Sequence, residues 1–202
     1  MPDKPQRARH DRRKSGRWSR PASRLALLDR DGTINVDRGF VHRWEDFEFC
    51  AGAVEALRRL AKAGFLLVVV SNQGGIARNY YTHQDVVVLH RKLMNYLKAY
   101  DVQLAGCLYC PHAPEDRCRC RKPGTFLVEQ FVKTQNLRVD WPGCWTIGDK
   151  PSDVMLGKRL GTCTALLRSV YWSPEALEVE PDLVGDSLLE VTERILAQGG
   201  KE

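Results

Sequence analysis

Short apolar runs that break into polar or glycine-rich residues, each followed by a stretch of helical spacing, constrain this chain more than any other feature. "RLALLDRDG" (24–32) reads as a strand ending in acids, and "FLLVVVSNQGG" (65–75) as an apolar strand breaking into a loop. "AGCLYC" (105–110), "CWTIGD" (144–149) and "CTALLR" (163–168) give three more strands. Between them, "AGAVEALRRLAKAG" repeats apolar residues at Val54, Leu57, Leu60 and Ala61, with Gly64 as a helix stop. Thr82 with Asp85 forms a loose capping box before Val86, Leu89, Leu93 and Leu97. Thr125 opens a helix carrying Leu127, Val128, Phe131 and Val132 on one side, and "PSDVMLGKRLG" starts with Pro and ends with Gly. "SLLEVTERILAQ" closes the chain as an amphipathic helix. A continuous apolar strand such as "FLLVVV" is buried on both faces. The alternation therefore predicts an α/β fold: a mostly parallel central sheet in three Rossmann-like layers, with helices on both faces.

At 202 residues and 43% apolar content the chain fills one core, so residues 23–202 are expected to form a single domain. No apolar run reaches the ~18 residues of a membrane span, and the basic N-terminus lacks the apolar stretch of a secretory signal. The expectation is a soluble, cytoplasmic protein with no membrane partner. The net charge of +6 suggests nucleic acid until its location is read. Residues 1–24 carry nine Lys/Arg against Asp3 and Asp11, a net of +7, which leaves the other 178 residues at −1. The basicity belongs to a Pro/Ser/Arg-rich tail, residues 1–22, expected to be disordered or an upstream start. The near-neutral body argues against a nucleic-acid partner, and nothing forces an oligomer, so a monomer is expected. Seven cysteines, an odd number, with Cys50, Cys107, Cys144 and Cys163 scattered in apolar settings, suit a reducing compartment and not a disulfide framework.

In a parallel sheet ligands gather at the carboxyl ends of the strands. Three strands end there in polar clusters: Asp29-Arg30-Asp31-Gly32-Thr33, Ser71-Asn72-Gln73-Gly74-Gly75 and Gly148-Asp149-Lys150. Converging carboxylates repel unless a cation lies among them, and an oxygen-only donor set favours magnesium. Of two aspartates spaced two apart, one can attack as a nucleophile while the other moves protons. Ser71 can hold phosphoryl oxygens, and Lys122 can neutralise the charge that grows in transfer. Each motif is weak alone; their order and shared strand-end placement make the set specific.

"LLDRDGT", "VVVSNQGG", "CRKP" and "IGDKPSD" resemble, in order, the four motifs of the haloacid dehalogenase superfamily of phosphatases. From Arg24 to Arg168 the wording is similar, more narrowly, to its heptose-bisphosphate phosphatases. The resemblance implies a nearly capless fold with Asp29 as nucleophile and Asp31 as general acid and base. It implies magnesium held by the Asp29 and Asp149 side chains and the Asp31 carbonyl, with Lys150 beside it. Ser71 and Lys122 would steady the phosphoryl group. Asn72, Gln73, Gly74 and Arg121 would meet the substrate, a small sugar phosphate, and Asp37, Arg38, Gly39 and Phe40 would line its sugar side. Asp153, one turn beyond Asp149, is placed to support the metal.

Cys110, His112, Cys118 and Cys120 match the family's structural zinc loop. Three thiolates and an imidazole make a closed tetrahedral site with no position open for catalysis. Arg121 and Lys122 follow the last ligand directly, so the loop would be a scaffold for the catalytic cation. Only five residues separate His112 from Cys118, a spacing that also resembles histidinol-phosphate phosphatases, whereas "INVDRGFVH" and "SNQGGIAR" resemble the heptose enzymes. "RSVYW" (168–172) differs from the Gly-containing turn expected after the last strand, so the phosphate-distal side is expected to be remodelled. Two other readings stand beside this one: a zinc-containing nucleic-acid-binding protein that uses the tail, and a phosphatase for nucleic-acid 3′-phosphate ends. His42, His83 and His90 read as solvated or packed, and Trp141 and Trp145 as packing around a strand.

Overall fold

The computed structural model describes residues 21–172 and 177–199. The tail expected over 1–22 lies, apart from Pro21 and Ala22, outside the described residues.

Six strands form one sheet: β1 (Arg24–Leu28), β2 (Phe65–Asn72), β3 (Leu104–Cys110), β4 (Trp145–Gly148), β5 (Cys163–Leu167) and β6 (Leu183–Gly185). Their order is β3-β2-β1-β4-β5-β6, and every pairing is parallel. The expected mostly parallel sheet is borne out, with one strand more than the five read from sequence. At three residues, "LVG" is too short to show a period.

Alternate side chains of the central strands enter opposite layers, as the period of two demands. Ala26, Leu28, Leu67 and Val69 join a core capped by α1 (Ala53–Lys62), α2 (His83–Lys98) and α5 (Leu188–Gly199). Leu25, Leu27, Val68 and Val70 join a second core beneath α3 (Phe126–Thr134) and α4 (Pro151–Leu160). Leu25, Leu28, Leu67 and Val69 are all fully buried, each such side chain contributing about 1.5–3 kcal/mol. The helices start and stop as the sequence signals: the Thr82–Asp85 capping box forms at α2, and Gly161 ends α4 in the left-handed region at φ 77°.

From β1 the chain steps to β2 and β3, with α1 and α2 on one face. It then returns to β4 on the other side of β1 and continues to β5, with α3 and α4 on the opposite face. The order reverses between β1 and β4, so the carboxyl ends of these strands frame the crevice where such sheets bind ligands. The β1–α1 connection, residues 29–52, holds only a 3-10 turn at Trp44–Asp46 and isolated bridges, so no second domain covers the crevice there.

Candidate active site

Asp29 follows the last residue of β1 and Asp149 the last of β4, so both stand at the switch point, buried. Two glycines permit this crowding. Gly32 sits at φ 89°, and a Cβ on it would lie 2.2 Å from Asp149 Oδ2; a Cβ on Gly148 would lie 2.1 Å from Asp153 Oδ2. Asp29, Asp149 and Asp153 can each bring one carboxylate oxygen within 4.8 Å of the others. Burial, and then the Asp29 charge, pushes the Asp149 carboxyl up to about 7; burial pushes Asp153 up to about 6, against the pull of Lys122.

Two ammonium groups offset this charge. Lys122 Nζ, almost fully buried, lies 2.7 Å from Asp29 Oδ1 and 2.7 Å from Asp153 Oδ1. Burial disfavours its charge, and the two carboxylates more than compensate, so its pKa is raised. Lys150 Nζ donates to both Asp149 oxygens at 3.0 and 3.1 Å, to the Asp31 carbonyl at 3.4 Å and to Asp37 at 3.3 Å. The Asp149 carboxylate and the Asp31 carbonyl therefore already face one cation. Oxygen donors in this arrangement fit a small hard divalent ion such as magnesium. Asp153 differs from the other two acids: one oxygen holds Lys122 and the other caps α4 at the Lys150 N–H, 3.1 Å away.

Asp29 Oδ1 also accepts from the Arg30 N–H at 2.7 Å. Oδ2 has no hydrogen-bond donor among the described residues and is open to a phosphorus atom or a cation. Asp31 is held from several sides. Arg30, fully buried, grips it through Nε at 3.2 Å and through Nη2 at 3.0 and 2.8 Å; Asn35 Nδ2 and Gln73 Nε2 each donate at 3.0 Å. Gln73 Nε2 also reaches Ser71 Oγ at 2.7 Å, and the Tyr81 hydroxyl donates to Gln73 Oε1 at 2.7 Å. A chain from Tyr81 through Gln73 thus ties the end of β2 to the acid of β1.

Asn72 makes both its contacts with the backbone of Lys122: Oδ1 accepts from its N–H at 2.9 Å, and Nδ2 donates to its carbonyl at 3.3 Å. Arg121 donates to the His112 carbonyl at 3.0 Å, with Gly74 against both. Of the segment expected on the sugar side, Asp37 joins Lys150, and Gly39 N donates to Asp37 at 3.0 Å. Phe40, exposed, meets Tyr80 edge-on at 4.8 Å between ring centroids. Arg38 pairs with Glu48 on the surface.

The cysteine cluster folds as one knot. The three sulfurs of Cys110, Cys118 and Cys120 lie 3.2–3.5 Å apart, and His112 Nδ1 is 3.6 Å from Cys110 and 3.2 Å from Cys120. Bonds of about 2.0–2.3 Å to a tetrahedral ion need separations close to these. Their chemistry and spacing fit one closed metal site.

Arg30, Asn35, Tyr81 and His90 belong to the site and were not read from sequence as functional. His90 is buried, 3.4 Å from Arg30 Nη1, and burial followed by the Arg30 charge pushes its pKa down to about 3. It stays neutral and packed. His42 stacks on Tyr81 at 4.8 Å.

A strand-end carboxylate backed by a buried ammonium, above a parallel sheet with no domain inserted after β1, is the arrangement of a haloacid dehalogenase-type phosphatase. Residues 24–158 match the family described as polynucleotide kinase 3 phosphatase. The chain is 38% identical to the D-glycero-beta-D-manno-heptose-1,7-bisphosphate 7-phosphatase of Haemophilus ducreyi, over 83% of this chain and 96% of that one. To the enzyme of the same name from Escherichia coli K12 it is 38% identical over 85% and 93%. Its fold is similar to the D,D-heptose 1,7-bisphosphate phosphatase of B. bronchiseptica complexed with magnesium and phosphate: TM-score 0.76, 27% identity, covering 87% of this chain and 99% of that one. The chain belongs to the family of D-glycero-D-manno-heptose-1,7-bisphosphate 7-phosphatases within the haloacid dehalogenase superfamily.

Proposed function

We propose that the protein is a magnesium-dependent phosphomonoesterase that removes the 7-phosphate of D-glycero-D-manno-heptose 1,7-bisphosphate through an aspartyl-phosphate. The route served is the making of nucleotide-activated heptose for lipopolysaccharide or surface-layer glycans. The observation that carries this reading is the pairing of Asp29 with buried Lys122 at the switch point, in a chain aligned with nearly the whole length of its heptose-phosphatase relatives. Their names specify the β anomer, which we assign to this substrate as well.

Asp29 attacks phosphorus in line through the carboxylate oxygen that Lys122 leaves free, and the bond to O7 breaks. Asp31, oriented by Arg30, Asn35 and Gln73, gives its proton to that oxygen. It then takes a proton from water, whose oxygen attacks phosphorus and returns Asp29 to its carboxylate. Lys122 balances the phosphoryl charge, Ser71 donates its hydroxyl to a phosphoryl oxygen, and Arg121 meets the substrate's distal side. Asp29, Asp149 and the Asp31 carbonyl would hold magnesium, which would supply charge neutralisation at the phosphoryl oxygens.

Zinc in the cysteine–histidine knot fixes the backbone of Arg121 and Lys122. The catalytic unit is residues 23–202 acting as a monomer, and the reduced thiols suit the cytoplasm. No described helix is long and apolar enough to cross a membrane. A second reading, a phosphatase for 3′-phosphate ends of nucleic acid, draws on the family description and on a cavity of about 490 Å³ beside the knot, lined by Arg117, Arg119, Arg121 and Arg159.

The test is phosphate release, with magnesium and then with EDTA, from heptose 1,7-bisphosphate, histidinol phosphate and a 3′-phosphorylated oligonucleotide. Magnesium-dependent preference for the bisphosphate supports the proposal. Preference for either of the others keeps the catalytic residues and discards the substrate.

A further inference from the structure

The turn after β5, whose "RSVYW" contains no glycine, reaches the active-site mouth in space. Ser169 Oγ donates to the Asp149 carbonyl at 2.8 Å, Tyr171 N donates to Ser169 Oγ at 3.3 Å, and Trp172 Nε1 returns to the Leu167 carbonyl at 2.9 Å. Two of these hydrogen bonds brace the turn against the ends of β4 and β5, and the third closes the turn on itself. Its tip is apolar and open: Val170 is 95% exposed and Tyr171 50%.

The Tyr171 ring lies over Lys150 Nζ, 4.5 Å from its centroid, and that ammonium also holds Asp37 at 3.3 Å. Burial, and then the nearby Asp37 carboxylate, raises the Tyr171 pKa. Tyr171 therefore stands between the metal-side group Asp149–Lys150 and the Asp37–Phe40 segment. A half-exposed aromatic ring keeps apolar area free to pack against a ligand, and one held over a cation keeps a fixed face. With no domain inserted after β1, the walls of the mouth are such short segments.

We infer that Tyr171 is a specificity-determining residue whose ring forms a wall of the mouth and packs against the carbon skeleton of the sugar phosphate. The 169–172 turn does part of the work a cap domain does elsewhere: it shapes which leaving group is admitted while leaving the phosphoryl chemistry to Asp29 and Asp31. The inference rests on the sugar-bisphosphate reading above.

The experiment compares wild type, Tyr171→Ala and Tyr171→Phe on heptose 1,7-bisphosphate and on methyl phosphate, which offers no skeleton to pack. For Tyr171→Ala the expected result is a KM for the bisphosphate raised about tenfold, the scale of one lost aromatic contact, with kcat held within about twofold. Its kcat/KM on methyl phosphate stays at the wild-type value. Tyr171→Phe keeps the ring and keeps the wild-type preference. Equal losses on both substrates would mean that Tyr171 acts through Lys150 and Asp149 as structure, and would overturn the inference. So would unchanged KM in Tyr171→Ala, or Tyr171→Phe failing as badly as Tyr171→Ala. A wild-type enzyme inactive on the bisphosphate removes the sugar reading and this inference together, whereas an active wild type with unselective variants removes this inference alone.

Discussion

Replacing Lys122 with Met tests how the site carries its charge. Three buried carboxylates, Asp29, Asp149 and Asp153, share two ammonium groups, Lys122 and Lys150, a local balance of −1 once the pH exceeds the raised pKa of Asp149, about 7. Met fills much of the lysine volume and leaves the balance at −2, with Asp29 and Asp153 both missing a partner at 2.7 Å. Removing one partner of a buried ion pair costs about 3–5 kcal/mol, and exposures of a few per cent leave little water to soften it. For a chain of this size that is a melting temperature lower by about 6–20 °C. A divalent cation brings the variant to neutrality and the wild type to +1, so magnesium should raise the melting temperature of Lys122→Met more than that of wild type. The assay is thermal unfolding at about pH 8, above the raised pKa values of Asp149 and Asp153, with magnesium and with EDTA, alongside phosphate release, which the variant should lose. If Lys122→Met melts within about 3 °C of wild type in EDTA, or gains no more from magnesium than wild type does, the charge argument is wrong.

Four further outcomes are expected. Asp29→Asn abolishes phosphate release while folding normally; retained turnover would remove Asp29 as nucleophile. Cys118→Ser loses zinc and melts earlier by roughly 5–10 °C, a cost of about 2–3 kcal/mol, as metal analysis and calorimetry would show. His90 stays neutral in the fold down to about pH 3, whereas it charges near 6.5 when unfolded, so it withdraws stability as pH falls below about 6.5, at up to ~1.4 kcal/mol per pH unit; denaturant titrations of His90→Gln between pH 6.5 and 4 should show a shallower loss. Asn72→Ala, which frees the Lys122 backbone, should lower kcat with KM little changed; a raised KM at constant kcat would make Asn72 a substrate contact instead.

What sequence reveals of this molecule follows the range of its interactions. Period and punctuation are local, so β1 to β5 and the helices between them were legible, down to the Thr82 cap and the Gly161 stop. The strand-end clusters were legible too, because a parallel sheet sends every carboxyl end to one rim. Arg30 is not legible although it sits between Asp29 and Asp31, because nothing local says whether an arginine in that turn points into the core or into water. Beyond its neighbour Asp31, its fully buried guanidinium is stabilised by partners reached through folding: the Val41 carbonyl and His90, sixty positions away. Tyr81 and Asn35 were hidden for the same reason. Asp153 was placed near the metal, but the sequence cannot show that its two oxygens divide between Lys122 and the cap of α4.

The position of Lys122 shows why the cysteine–histidine knot bears on the proposed chemistry. A lysine side chain loses about 2 kcal/mol of rotamer freedom when fixed, and its burial costs more unless its partners are already in place. Its backbone is held at two points by Asn72, from the end of β2, and it follows Cys120 by two residues. Its ammonium is held by β1 through Asp29 and by α4 through Asp153. Two strands, a helix and a loop closed on itself therefore converge on one residue. Without the knot, residues 111–125 would be a long connection free to move, and Asn72 alone would have to hold the backbone against the entropy of that segment. A closed tetrahedral site removes that freedom without offering a second reactive centre beside the first, which an open metal position would do. The cluster that looks on first reading like a nucleic-acid knuckle is better explained as the means by which a loop 93 positions from Asp29 delivers a buried cation to it.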